Sequence, residues 1–140
     1  MKLKTSIYSF VFIILSSCLS AQEVTKIAFV TGTRGYQKEI VLTKDSIHIT
    51  EQGRSINRSE STILLPGNWQ EIAEQLGTLH LQTIPDLTSP TTNRFTDAAR
   101  ASSLTLNTAD GKTYSHSFDN ENPHASLQPM LNIIIELAGD

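Results

Sequence analysis

The stretch from Asn68 to Leu79 is the clearest pattern in the chain. Trp69, Ile72, Ala73, Leu76 and Leu79 recur at helical spacing, while Gln70, Glu71, Glu74 and Gln75 fill the opposite face. The spacing predicts an amphipathic helix, with Asn68 as its N-cap and Glu71 closing a capping box. So short a helix needs its apolar stripe buried against something else. A second helix is predicted after Ser126, its expected cap, with Leu127, Met130, Leu131, Ile134 and Leu137 inward. Pro129 lies in its first turn and Gly139 at its end.

The remaining apolar pattern has the period of strands. Val24–Val30 and Lys38–Thr43 flank a turn at Thr31–Tyr36, where Gly32 and Gly35 are expected to supply unusual backbone angles. Ile47–Thr50 alternates strictly, and Ile56–Leu65 follows after a turn at Gln52-Gly53-Arg54, to be stopped by Pro66-Gly67. Leu104–Asn107 and Lys112–Phe118 form a hairpin about Asp110-Gly111, with Tyr114, His116 and Phe118 on one face. Leu81–Leu87 has no clear period. Thr88–Ser103 is polar and reads mostly as loop, with room for a helical turn at Asn93–Ala99. The fold class is α+β: an antiparallel sheet of five or six strands, comprising a four-strand meander, a helix, a hairpin and a C-terminal helix, with both helices packed on it.

The first 21 residues carry a different signal. Lys2 and Lys4 precede an apolar core, Ile7–Leu15, and small residues follow at Ser16, Ser17, Ser20 and Ala21. This is the layout of a secretory signal peptide, too short to span a bilayer. Residues 1–21 are assigned to it and residues 22–140 to one domain. Cleavage after Ala21 releases a periplasmic or secreted protein. Leu15-Ser16-Ser17-Cys18 resembles a lipobox, and a lipid on Cys18 would instead hold the domain on a membrane.

Cys18 is the only cysteine, so residues 22–140 can form no disulfide, thiolate metal site or cysteine nucleophile. Setting aside Lys2 and Lys4 leaves nine basic residues against 14 acidic, a net charge of −5 with histidines neutral. The charges are scattered, which argues against nucleic-acid binding. No phosphate-binding loop, nucleophile elbow, HExxH metal motif or calcium loop is present.

Three polar clusters remain as candidate chemistry. His116, Asp119, Glu121 and His124 have the donor types of a zinc site or an acid–base pair, although the bland reading is a half-buried histidine beside a capping carboxylate. Arg94, Asp97 and Arg100 stand three apart, so Asp97 can pair with either arginine and order the long loop, or the two arginines can form an anion site. Arg34 and Tyr36 place a guanidinium and a ring at the first turn, as in interface hot spots.

Trp69, Ser89-Pro90 with Arg94 and Asp97-Ala98-Ala99, and Tyr114 with Phe118-Asp119 and Pro123 together give the chain a pattern. It resembles that of small, functionally uncharacterised proteins exported by Gram-negative bacteria. The resemblance implies export and a compact α+β domain, and it transfers no catalytic role.

The expected function is a non-enzymatic envelope or secreted module that binds a protein, peptide or small ligand, without cofactor or metal. Its surface is expected in the loops holding Arg34, Tyr36, Arg94, Asp97, Arg100, His116 and Asp119. Two alternatives are a metal-dependent or acid–base hydrolase using His116, Asp119 and His124, and a purely structural envelope component.

Overall fold

The computed structural model describes residues 22–139, so the leader and Cys18 lie outside the described residues. Six antiparallel strands form one open sheet: β1 (Val24–Thr33), β2 (Tyr36–Thr43), β3 (Ser46–Gly53), β4 (Asn57–Ile63), β5 (Ala101–Thr108) and β6 (Thr113–Asp119). Their spatial order is β4-β3-β2-β1-β5-β6. The first four strands are the expected meander, and the later hairpin adds to the free side of β1. Two α-helices complete the fold, α1 (Pro66–Leu76) and α2 (Gln128–Leu137).

Alternation along the strands decides which face is covered. Ile27 and Phe29 on β1, Ile40 and Leu42 on β2, Ile47 and Ile49 on β3, and Leu104 and Leu106 on β5 are buried on one face. They form a single core with Ile72 of α1 and Met130, Leu131 and Ile134 of α2. Phe29 and Phe118 stack within it, ring centroids 6.2 Å apart. A register shift between Val24 and Lys26 resets the phase, which lets Val24 and Ile27 both turn inward. Tyr114, His116 and Phe118, expected on one face of β6, are all buried, His116 more deeply than the half-burial expected of it.

Several boundaries differ from the sequence reading. Helix α1 begins at Pro66, which occupies the first turn, where its missing N–H leaves nothing unpaired. Leu65 is therefore the N-cap, and its carbonyl accepts from Asn68 N–H, so Asn68 caps nothing and no capping box forms. Leu127, not Ser126, precedes α2, again without a side-chain cap. Ala73, predicted on the inward stripe, is exposed, and Trp69 is half-buried at the margin of the core. The Leu81–Asp86 segment is a 3-10 helix along β6, and the long loop ends at Arg100 because Ala101–Ser103 already belong to β5. Gly111 and Gly139, at φ +82° and +79°, occupy the hairpin turn and the end of α2 as expected.

Candidate functional site

Asp119 organises one end of the molecule. It ends β6, is 1% exposed, and accepts from four donors on the 88–100 loop. Thr91 Oγ1 donates to it at 2.6 Å, Asn93 N–H at 2.6 Å, Arg94 N–H at 3.2 Å and the Arg94 guanidinium at 2.8 Å. Burial pushes the carboxyl pKa up, but the bonds from Thr91, Arg94 and the two backbone N–H groups outweigh burial and bring it down to about 2. The loop is thus wrapped around a carboxylate that stays ionised. Its short 3-10 helix, Asn93–Thr96, is the helical turn anticipated in the sequence.

Arg94 is correspondingly fixed. Besides Asp119 it donates to Ser89 Oγ at 3.2 Å and Thr91 O at 3.0 Å, and its guanidinium lies 4.5 Å from the centre of the exposed Phe95 ring. The expected pairing of Asp97 with Arg94 or Arg100 does not form. Asp97 takes the left-handed conformation, φ +57°, a region that aspartate tolerates, and its carboxylate meets Arg34 at 3.0 Å. An ion pair across two separate segments therefore replaces the local one. Arg94 already has its carboxylate in Asp119, so Arg94 and Arg100 build no joint anion site. Arg100 contributes its backbone instead. Its N–H donates to Asn120 Oδ1 and its carbonyl accepts from Asn120 N–H, which closes the loop against the end of β6.

The first turn is tighter than predicted, with only Arg34 and Gly35 between β1 and β2. Neither Gly32 nor Gly35 takes a positive φ. Gly32 is required for a different reason: a Cβ there would stand 2.5 Å from the Tyr36 carbonyl oxygen. Nor is Tyr36 a free ring. It is half-buried, and its hydroxyl donates to Glu51 at 2.5 Å.

These pieces meet in one groove of about 560 Å³ at the β1–β2 end of the sheet. Val30, Ala99 and Ala101 give it an apolar floor, with Gly32 where two backbones approach. Arg34, Tyr36, Gln37, Arg94 and Asp97 supply its polar walls. Four predicted residues from two clusters, Arg34, Tyr36, Arg94 and Asp97, are thereby brought together. Asp119 stands behind Arg94 and positions it. Ser89 and Thr91 are not singled out as site residues by the sequence, because a serine and a threonine in a polar loop carry no local mark of a role that only tertiary contact creates. Gly32 is marked there only as a turn glycine, whereas it lies in β1.

His116 belongs elsewhere. It is buried against Phe118, ring centroids 5.5 Å apart, and its Nε2 accepts from the His124 backbone N–H at 3.2 Å. Burial is the main cause that holds its pKa below the ordinary histidine range. The neighbouring charges of His124 and Arg94 act in the same direction, against a hydrogen bond to the Leu87 backbone. His124 turns its own Nδ1 to Ser126 Oγ at 2.9 Å, and Glu121 is exposed. The cluster whose donor types would suit a metal or an acid–base pair is therefore divided among separate structural contacts, which is closer to the bland reading of a buried histidine beside a capping carboxylate. Among the described residues, no group of three His, Cys, Asp or Glu side chains is arranged to hold a metal ion.

A second hollow, about 510 Å³, lies between α1 and the start of β1, bordered by Trp69, Leu76, Leu79, Val24 and Gln22. Gln22 closes part of it by accepting from Tyr114 Oη at 2.9 Å and Gln82 Nε2 at 3.0 Å. No protein-family model, curated protein or solved structure matches this chain.

Proposed function

We propose that this is an exported, non-enzymatic binding module whose ligand site is the groove between the Arg34 turn and the 88–100 loop. The observation that carries the reading is the contrast within that groove. Its inner wall is rigid, because Arg94 is held by Asp119, Ser89 and the Thr91 carbonyl. Its rim is labile, because the Arg34–Asp97 pair is 89% and 68% exposed and such pairs contribute little in water. A ligand carboxylate can displace Asp97 from Arg34 at small cost, while an apolar portion covers Val30, Ala99 and Ala101. The ligand class is accordingly a peptide end or a small organic acid. Export rests on the basic, apolar and small-residue layout of residues 2–21 and on cleavage after Ala21, which frees the domain in the periplasm or outside the cell. Membership among small exported proteins of Gram-negative bacteria is part of the same reading.

A nuclear magnetic resonance screen of labelled protein against short peptides and small carboxylates tests the site. Binders should shift amides in 30–37 and 94–101. Arg34→Ala should weaken them about tenfold or more, as loss of a charge-assisted hydrogen bond does. Asp97→Asn, which keeps a residue suited to the left-handed backbone, should strengthen them by releasing Arg34. Shifts centred elsewhere, or weakening by Asp97→Asn, would overturn the assignment. Mass spectrometry of the exported protein should find Gln22 at its N-terminus, and a lipidated Cys18 there would contradict release.

A further inference from the structure

The two edges of the sheet are treated differently by the chain, and the β4 edge is left open. All seven residues of β4 are exposed, and the strand contains no proline. Of the four large apolar side chains exposed among the described residues, Ile56, Ile63 and Leu65 lie on or beside β4. Such an edge is a template for a further strand.

The hydrogen-bond phase shows which groups it offers. Leu64 N–H donates to Asp45 O, and Ile56 exchanges bonds with Gly53, so the even-numbered positions face β3. By the period of two, Asn57, Ser59, Ser61 and Ile63 turn their N–H and C=O groups to the free side. The side chains of Arg58 and Glu60 are level with Glu51 and Ile49 on β3, hence on the face that carries the core. They lie beside each other at 2.6 Å, and both are about half exposed.

We infer that β4 pairs antiparallel with β4 of a second copy of this chain, about a twofold axis at Ser59. That register puts Ser59 opposite its own copy and Asn57 opposite the copy's Ser61, and it forms about six backbone hydrogen bonds from groups otherwise left to water. It also puts Arg58 opposite the copy's Glu60, and Glu60 opposite the copy's Arg58. These are non-hydrogen-bonded positions, where facing side chains come closest. A shift of the axis to Glu60 would set Glu60 against Glu60, so the charges select the Ser59 register. The occupant is a second copy rather than an unrelated strand because the charge order along β4 is complementary to itself when reversed. The result is one continuous sheet through the dimer, with the two Arg34 grooves left at other positions and open.

Sedimentation equilibrium of the purified protein over a range of concentrations provides the test. The wild type should form dimers as concentration rises. Ser59→Pro should abolish them without lowering the melting temperature appreciably, since the N–H it removes faces away from β3. Glu60→Arg alone and Arg58→Glu alone should each weaken the dimer about tenfold, by turning two cross-strand attractions into repulsions. An equimolar mixture of those two variants should restore it, because each then faces the opposite charge at both positions. A wild type that stays monomeric, a dimer indifferent to Ser59→Pro, or a mixture no tighter than either variant alone would overturn the inference. The mixing result stands by itself should the proline disturb the β3–β4 hairpin.

Discussion

The loop from Thr88 to Arg100 and the strand β4 invert the usual relation between regularity and order. The loop has only one short 3-10 turn, yet its Asn93 and Arg94 N–H groups are tied to a carboxylate that is 1% exposed. Strand β4 is fully regular, yet no residue of it is buried. What makes a segment rigid is where its polar backbone groups find partners, and secondary structure is only one supplier of partners. A single buried anion supplies them for the loop. For one side of β4, only water or another chain can.

The largest effects should come from the core beneath the loop. Phe118→Ala removes the ring that stacks on both Phe29 and His116, and should lower the unfolding free energy by about 3–5 kcal/mol in urea denaturation. Asp119→Ala should act next, because it leaves the Arg94 guanidinium and two backbone N–H groups without their acceptor. Its mark should be selective, with faster proteolysis within 88–100 at temperatures where the sheet remains folded.

Acid should separate the two buried groups. The folded pKa of His116 lies below the unfolded value of 6.5, so its neutral form is favoured and stability falls as pH drops below about 6.5. Asp119 has the depressed pKa of a stabilised carboxylate, about 2 against 3.8. Its contribution is complete above about pH 4 and is lost as pH falls toward 2. A plot of stability against pH should show two steps, and His116→Gln should remove the upper one. The smallest effect belongs to the exposed rim: Arg34→Ala should change stability by less than about 0.5 kcal/mol, as an exposed ion pair allows.

Periodicity made the architecture legible. The first three strands and both helices follow from alternation and helical spacing, because burial acts on a whole face of an element at once, whereas the fully exposed β4 and the Asp110-Gly111 hairpin follow from their turn signals. Helix starts were less legible: Asn68 and Ser126 have the chemistry of caps, but Pro66 and the entry through Leu127 set the first turns. The site was legible only in part. Arg34, Tyr36, Arg94 and Asp97 could be singled out as charged or aromatic types in turns and loops, whereas their pairing and the partial burial of Tyr36 and Arg94 could not. Asp97 and Arg100 are three apart in sequence, but the left-handed turn at Asp97 directs its carboxylate across to the β1–β2 turn. His116 and Asp119 suggest a joint site because the sequence places them on a strand end and in the loop just after it, whereas the structure puts both on β6. Their side chains lie on alternate sides of it, and each is enclosed by different contacts.

Residue-by-residue hydrogen exchange in dilute protein at neutral pH tests the comparison most directly. The amides of Asn93 and Arg94, in a loop, should exchange more slowly than those of Ser59 and Ser61, in a regular strand. Protection at Ser59 and Ser61 equal to or greater than that at Asn93 and Arg94 would contradict the account.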